Sequence, residues 1–306
     1  MRGMLRHVNM VTYCIADLDQ VVSAWTEWMD FSVIERGEIS ATLGDIWDAP
    51  AMAGMRYAIL QPASGTEVYL RYIETGENLP FGAPMYCGWT ANEFLAEDVD
   101  ELARHLDGSP FKLIGGPNDL FPRAKAPRAI QVIGPAGELV YFTRMLPGGT
   151  VNALKGAKSF VDRTFNVISA GHDIEAMRRF YQETLHQKMN APISMYIPYL
   201  AEACGAPGDT VFHIQVAKIR VRRSIVELDQ FPANVPMRPR AAGQLPPGLS
   251  MVSFYVDSLD DLPLEFRAPP QAVGGPVYGD ARTAVAVGAA GEWLELLERK
   301  VDRSRD

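Results

Sequence analysis

Apolar positions along the chain fall into two rhythms that alternate in a fixed order. Residues 8–33, VNMVTYCIADLDQVVSAWTEWMDFSV, begin with a nearly continuous apolar run and then reach Asp17. Leu18, Val21, Val22, Trp25, Trp28 and Met29 follow at helical spacing. This predicts a buried strand leading into an amphipathic helix capped by the Asp17 carboxylate. FNVISAGHDIEAMRRFYQETLHQK repeats the arrangement from Asp17 to Asp173, a shift of 156 residues, with Ile174, Met177, Tyr181 and Leu185 as the apolar stripe.

Each half contains a second, weaker copy. WTANEFLAEDVDELARHL places Asp98 before Val99, Leu102, Ala103 and Leu106, and LSMVSFYVDSLDDLPLEF does the same from Ser258, with Pro263 shortening the last helix. Behind each helix come β-type runs separated by glycine turns, among them MRYAILQP and TEVYLRYIE around Gly65, AIQVIG and ELVYFTRM around Gly137, TVFHIQVAK and SIVELDQF, and TAVAVG and EWLELLE through Gly288 and Gly291. Each unit therefore reads βαβββ. Gly- and Pro-rich stretches at 146–159 and 231–248 punctuate the series, the second with five prolines, and both are expected to lie extended outside any core.

Composition narrows the function classes. With 29 basic and 37 acidic residues the net charge is −8, and the basic residues are scattered, so nucleic acid is not an expected partner. No window approaches a membrane span and the first residues lack a signal-peptide core, which points to no membrane association and a cytoplasmic location. Cys14, Cys87 and Cys204 are widely spaced and odd in number, and read as reduced and buried. A small-molecule substrate is the expected partner, and a homodimer is compatible with the sequence.

Four βαβββ units, carried by DLDQVVSAW, HDIEAMRRFYQETL and the endings GPAGELVYF and GAAGEWLELLE, resemble the vicinal oxygen chelate superfamily, which includes glyoxalase I, extradiol dioxygenases, fosfomycin-modifying enzymes and bleomycin-sequestering proteins. The resemblance implies an α+β fold of four βαβββ modules paired into two half-barrel domains, here 1–147 and 160–300, each with a concave cup. It also implies metal ligands on the first strand and the last strand of each module. Seven residues before Asp17, Asp98, Asp173 and Ser258 stand Met10, Ala91, Asn166 and Met251, and the last-strand positions fall on Tyr69, Tyr141, Glu227 and Glu295. None is histidine, so no cofactor is expected. A hard cation held by Glu227, Glu295 and the Asn166 carbonyl oxygen is the alternative, and a bulge in the first strand would turn His7 inward instead of Met10.

On this reading Glu227 and Glu295 converge in the carboxy-terminal cup and act by proton transfer, with His213 facing the same cup as a further acid or base. Tyr69, Arg71 and Tyr141, with Asn166 and Met251, form the substrate-binding set, Arg71 supplying a fork for an oxyanion. Tyr69, Tyr141, Phe142, Phe212 and Phe254 suggest an aromatic or apolar, oxygenated substrate. Arg220, Arg222 and Arg223 read as a solvated hairpin edge. The resulting expectation is an enzyme of the lyase or isomerase type without a His-ligated metal. The alternatives are a metal-independent sequestering protein, as in bleomycin resistance, and a metal-dependent glyoxalase- or dioxygenase-like enzyme.

Overall fold

The computed structural model describes residues 2–82, 85–146, 156–221 and 224–299. The first module consists of β1 (Leu5–Ile15), α1 (Leu18–Trp28), β2 (Phe31–Glu38), a short α2 (Ala41–Ile46), β3 (Arg56–Pro62) and β4 (Tyr69–Glu74). The second holds β5 (Gly88–Ala96), α3 (Val99–His105), β6 (Lys112–Asp119), β7 (Arg128–Ile133) and β8 (Leu139–Arg144). In the third are β9 (Val161–Gly171), α4 (Ile174–Arg179), β10 (Lys188–Met189), β11 (Ile193–Tyr196), α5 (Pro198–Ala203), β12 (Val211–Lys218) and β13 (Ile225–Gln230). The fourth holds β14 (Gly248–Val256), β15 (Gln271–Ala272), β16 (Arg282–Val287) and β17 (Trp293–Glu298).

Three helices begin at the expected caps. Asp17 accepts from the Gln20 N–H at 2.9 Å, Asp98 from Asp100 and Glu101 at 2.8 and 3.1 Å, and Asp173 from Ala176 at 2.9 Å. The fourth start fails: the Ser258 hydroxyl meets only the Asp261 N–H, at 3.3 Å, Pro263 follows at once, and the segment is a turn rather than a shortened helix. The repeated Gly-x-x-Gly-Glu turns have a common cause. Glu138 and Glu292 fold back to accept the Ala136 and Ala290 N–H groups, each at 2.8 Å. A Cβ on Gly134 would stand 2.3 Å from the Glu138 carboxyl, and one on Gly288 would stand 2.2 Å from that of Glu292, so a larger residue would push the carboxyl off its N–H partner.

Hydrogen bonding assembles two sheets. One runs β15-β16-β17-β14-β1-β4-β3-β2 and the other β10-β12-β13-β9-β5-β8-β7-β6, with β11 added along β12. At the centre of each, two first strands pair antiparallel, β1 with β14 and β5 with β9, and each takes its own module's last strand as a parallel neighbour. The first module thus shares a sheet with the fourth, and the second with the third. Pairing of consecutive modules within 1–147 and within 160–300 does not occur. All four first strands are almost wholly buried, so their pattern marks them as central without saying which partner each takes.

One face of each sheet joins a single large core. There Val11 and Tyr13, Phe94 and Phe142, Val167 and Phe254 meet the apolar stripes of α1, α3 and α4. Trp25 of α1 packs against Phe31 and Phe94, both at 5.1 Å, and Phe111 at 5.5 Å, which joins the first module to the second across sheets. The opposite face of each sheet lines a cup. Residues 231–248 cross from β13 to β14 largely exposed, as expected, but contrary to expectation they contribute to the core through Phe231, Val235 and Leu245. Arg238 pins this crossing by donating to the Pro247, Leu249 and Trp89 carbonyls. All three cysteines are free and buried, and among the described residues no helix is long and apolar enough to cross a membrane.

Candidate functional site

The first cup is built by four neighbouring strands that each present one polar side chain: Thr12 on β1, Arg71 on β4, Ser253 on β14 and Glu295 on β17. The Arg71 guanidinium donates to the Thr12 hydroxyl at 2.9 and 3.1 Å, to the Tyr278 hydroxyl, and to Glu295 Oε2 at 3.2 Å. Glu295 also accepts from Trp47 Nε1 and the Tyr278 hydroxyl, both at 2.8 Å, and from Ser253. Arg71 and Glu295 are 1% and 0% exposed. Burial works against the Arg71 charge, and Tyr278 and Glu295 more than offset it, leaving the guanidinium more basic than usual. The chain itself fills this cup. Leu43, Ile46, Trp47 and Met52 from the β2–β3 connection and Tyr278 from the β15–β16 connection pack over the pair, and Trp47 stacks on Arg71 at 4.6 Å.

The second cup is different in charge and in cover. Glu93 on β5 and Glu227 on β13 both accept from the same Asn166 amide nitrogen, at 2.9 and 3.0 Å, and the Thr143 hydroxyl donates to the other oxygen of Glu93. Asp229 lies two residues beyond Glu227, on the same face of β13. The Tyr141 hydroxyl meets that of Tyr199, from α5, at 3.0 Å. Burial pushes Glu227 up to about 7, helped by the Glu93 charge. Burial raises Glu93 as well, and it drives Asp229 far above the usual carboxylate range, with the Glu227 charge adding to it. Glu227 and Asp229 thus titrate as a pair, with the Glu93 charge acting on Glu227.

Apolar side chains surround this acidic cluster. Ile168 pairs with Glu227 across β9, Ile214 and Val216 stand opposite Asp229 and Glu227 on β12, and Ala91 and Leu139 complete the wall. The cover is incomplete. Ile193 and Met195, which share the register face of Ile214 and Phe212, are 41% and 39% exposed, and Tyr199 is 36% exposed. The β6–β7 connection leaves Leu120 and Phe121 at the surface, whereas the corresponding β2–β3 connection of the first module fills its cup.

No protein-family model matches the sequence, and no curated protein is similar to it in sequence. Solved structures do match. Glyoxalase I from Zea mays superposes with a TM-score of 0.61 over 95% of this chain and 92% of its own, at 14% identity. A protein from Bacillus subtilis assigned as a dioxygenase gives a TM-score of 0.62 over 97% and 86%, at 8% identity. The fold is that of the vicinal oxygen chelate proteins. At these identities the likeness extends to architecture and not to side chains.

Neither cup brings together the side chains of a His-ligated metal centre. In the first, the place between the four strands is taken by the Arg71 guanidinium, a cation already bonded to Glu295. In the second, neither imidazole nor thiolate reaches the cluster, and Asn166 turns its NH2 group, which cannot ligate, towards both carboxylates. Among the described residues no group of three His, Cys, Asp or Glu is placed to hold a metal ion.

The structure separates several residues that the sequence groups together. Glu227 and Glu295 lie in different sheets, because the third and fourth modules do not pair, and Glu295 is held by Arg71 rather than facing a second carboxylate. Tyr69, Arg71 and Met251 belong to the first cup, where Met251 is fully buried core, while Tyr141 and Asn166 belong to the second. The fork that Arg71 was expected to offer to an oxyanion is used internally. His213 has the opposite strand parity to Val216 and Ile214, stands exposed on the other face beside Ser194 at 3.0 Å, and does not reach Glu227. Phe142 and Phe254 lie in the core between the sheets, not in a cup.

A bulge in β1 puts both Met10 and His7 on the cup side, His7 against Tyr255 with ring centroids 4.7 Å apart. Arg220 bonds Asp257 at 2.6 Å and so links the sheets, whereas Arg222 and Arg223 lie outside the described residues. Cys87 Sγ lies 3.4 Å from His172 Nε2, but that nitrogen also meets the Val235 carbonyl at 2.7 Å and must donate there, so His172 is no base for the thiol. Glu93, Thr143, Asp229 and Tyr199 were missed. Glu93 and Asp229 had a legible signal: each is a charged residue two positions along the same strand face from Ala91 or Glu227, inside an apolar run.

Proposed function

We propose that the second cup carries out proton transfer on a small organic molecule with an apolar body, an isomerisation or elimination in which Glu227 is the acid–base group. The observation that carries this reading is the Glu93–Asn166–Glu227 bridge in a half-open apolar cup. Glu227 is the more exposed carboxylate of the bridge and titrates near neutrality, where a base exists in its active form and still has driving force for accepting a proton. Asn166 holds it in place, and Glu93, anchored by Thr143, raises its proton affinity through charge. The paired Tyr141 and Tyr199 hydroxyls stand beside the cluster as donors for a substrate oxygen on which negative charge develops. No metal takes part in this scheme.

The experiment is deuterium wash-in. The purified chain is incubated in D2O with a panel of aryl and alkyl ketones, aldehydes and 2-hydroxy ketones, and exchange at carbon is followed by proton NMR. Exchange of at least one compound is expected, falling about 100-fold or more in Glu227→Gln. Equal exchange rates in wild type and Glu227→Gln would remove Glu227 from the chemistry. Saturable binding without exchange of any compound would favour a sequestering protein.

A further inference from the structure

The acidic cluster of the second cup is out of balance with its surroundings. Glu93 and Glu227 meet at Asn166 from β5 and β13, Asp229 lies two residues further along the same face of β13, and none of them is in an ion pair with a described arginine, lysine or histidine. The Glu93 charge acts on Glu227, and the Glu227 charge on Asp229. Among the other elements, β9 brings Asn166 and Ile168 and β8 and α5 the phenols Tyr141 and Tyr199, while β12 brings Ile214 and Val216 and, at the exposed end of the same face, Lys218 beside Lys188 of β10, neither of them in an ion pair with the cluster. The first cup, in the same fold, has a resident cation between its strands, and its carboxylate is fully ion-paired.

A second observation points outward to a ligand. Asp229, 6% exposed, leaves Oδ1 without a hydrogen-bond partner, and Asn166, 1% exposed, leaves Oδ1 likewise. Buried acceptors of this kind are rare unless something else supplies the donor. The unmet need is for donors and positive charge, beside an apolar wall with Ile193 and Met195 still open to solvent.

We infer that the ligand of the second cup is an organic monocation, a primary or secondary amine on an apolar body, whose ammonium is received by Glu227, flanked by Glu93 on one side and Asp229 on the other. This deepens the proton-transfer reading of the same cup by naming the substrate class, and it rests on that reading only for the claim that the ligand is transformed. An ammonium supplies the donors that Asp229 and Asn166 lack. It also favours ionisation of the carboxyls around it, so binding releases protons near neutral pH and tightens as pH rises from about 6 to 8, while the amine stays charged.

The test is isothermal titration of the full chain with 2-phenylethylamine, cyclohexylamine and hexylamine. Each is compared with the alcohol and carboxylate of the same skeleton at pH 7.5, in phosphate and in Tris to read proton release. At least one amine should bind roughly 30-fold or more tightly than its alcohol, with proton release, and its carboxylate should not bind. Glu93→Gln and Asp229→Asn should each weaken the amine about tenfold or more beyond any change in the alcohol. If no amine exceeds its alcohol, or a carboxylate binds best, the inference falls. Amine preference without deuterium exchange of any amine-bearing ketone would keep the inference and remove the catalytic reading. Glu227-dependent exchange of neutral ketones without amine preference would do the reverse.

Discussion

Arg71→Met isolates the electrostatics of the first cup. The substitution keeps length and apolar bulk but deletes a cation that is 1% exposed and bonded to Thr12, Tyr278 and Glu295. Glu295, 0% exposed, would be left with Trp47, Tyr278 and Ser253 as its neutral donors. Removing one partner of a buried pair typically destabilises by about 3–5 kcal/mol, because the remaining charge is neither solvated nor compensated. With a urea slope of about 3 kcal/mol/M, the unfolding midpoint should fall by about 1–2 M. Adding Glu295→Gln removes the stranded charge and keeps the shape and the acceptor for Trp47, so the double variant should recover about 2 kcal/mol. Urea unfolding followed by tryptophan fluorescence and far-ultraviolet dichroism measures both. A loss below about 1 kcal/mol in Arg71→Met, or a double variant less stable than the single, would refute the assignment of Arg71 as the resident cation.

Further outcomes follow from the same geometry. Glu138 and Glu292 are buried and raised to about 7; a carboxyl raised on folding contributes stability below about pH 4.5 that is lost as pH climbs to about 7, so Glu138→Gln should flatten the decline of melting temperature between those values, and an unchanged slope would contradict it. Glu93 raises Glu227 by its charge, so Glu93→Gln should move the acid limb of the pH–rate profile to lower pH, whereas a purely structural role would change the amplitude alone. Burial pushes the thiols up, Cys14 and Cys204 to about 12 and Cys87 to about 11, so a disulfide reagent at pH 8 should label the native chain at no more than the rate set by unfolding, and rapid labelling of any one of them would be inconsistent with the packing. Chelator treatment should leave amine binding and exchange unchanged, as measured by the titrations and NMR above.

Periodicity made the modules legible because each first strand and helix stripe must bury a face, and the aspartate caps fixed the helix starts to the residue. The partners of the modules were not legible. Val11, Phe94, Val167 and Val252 are interchangeable as central apolar positions, and only three-dimensional fit decides that β1 meets β14. That single ambiguity moved Glu295 away from Glu227. His213 was misplaced by one residue of strand parity, which is enough to send it to the opposite face. Glu93 could have been found by following the face of Ala91 two residues further. Tyr199 could not, since it reaches the cup from a connection whose path no strand pattern predicts.

The nesting of the modules also orders events during synthesis. The second and third modules are consecutive, and β5 and β9 can pair as soon as residue 171 has left the ribosome. By contrast β1, complete at residue 15, finds its antiparallel neighbour only when β14 appears at 248–256. Through that interval the apolar strand and Trp25 depend on the helix-side core shared with the second module for cover, and β1 remains an open edge. The sheet that carries the acidic cup is thus the first able to form, and the sheet closed around Arg71 and Glu295 completes the molecule, as a buckle fastened from both ends of the chain.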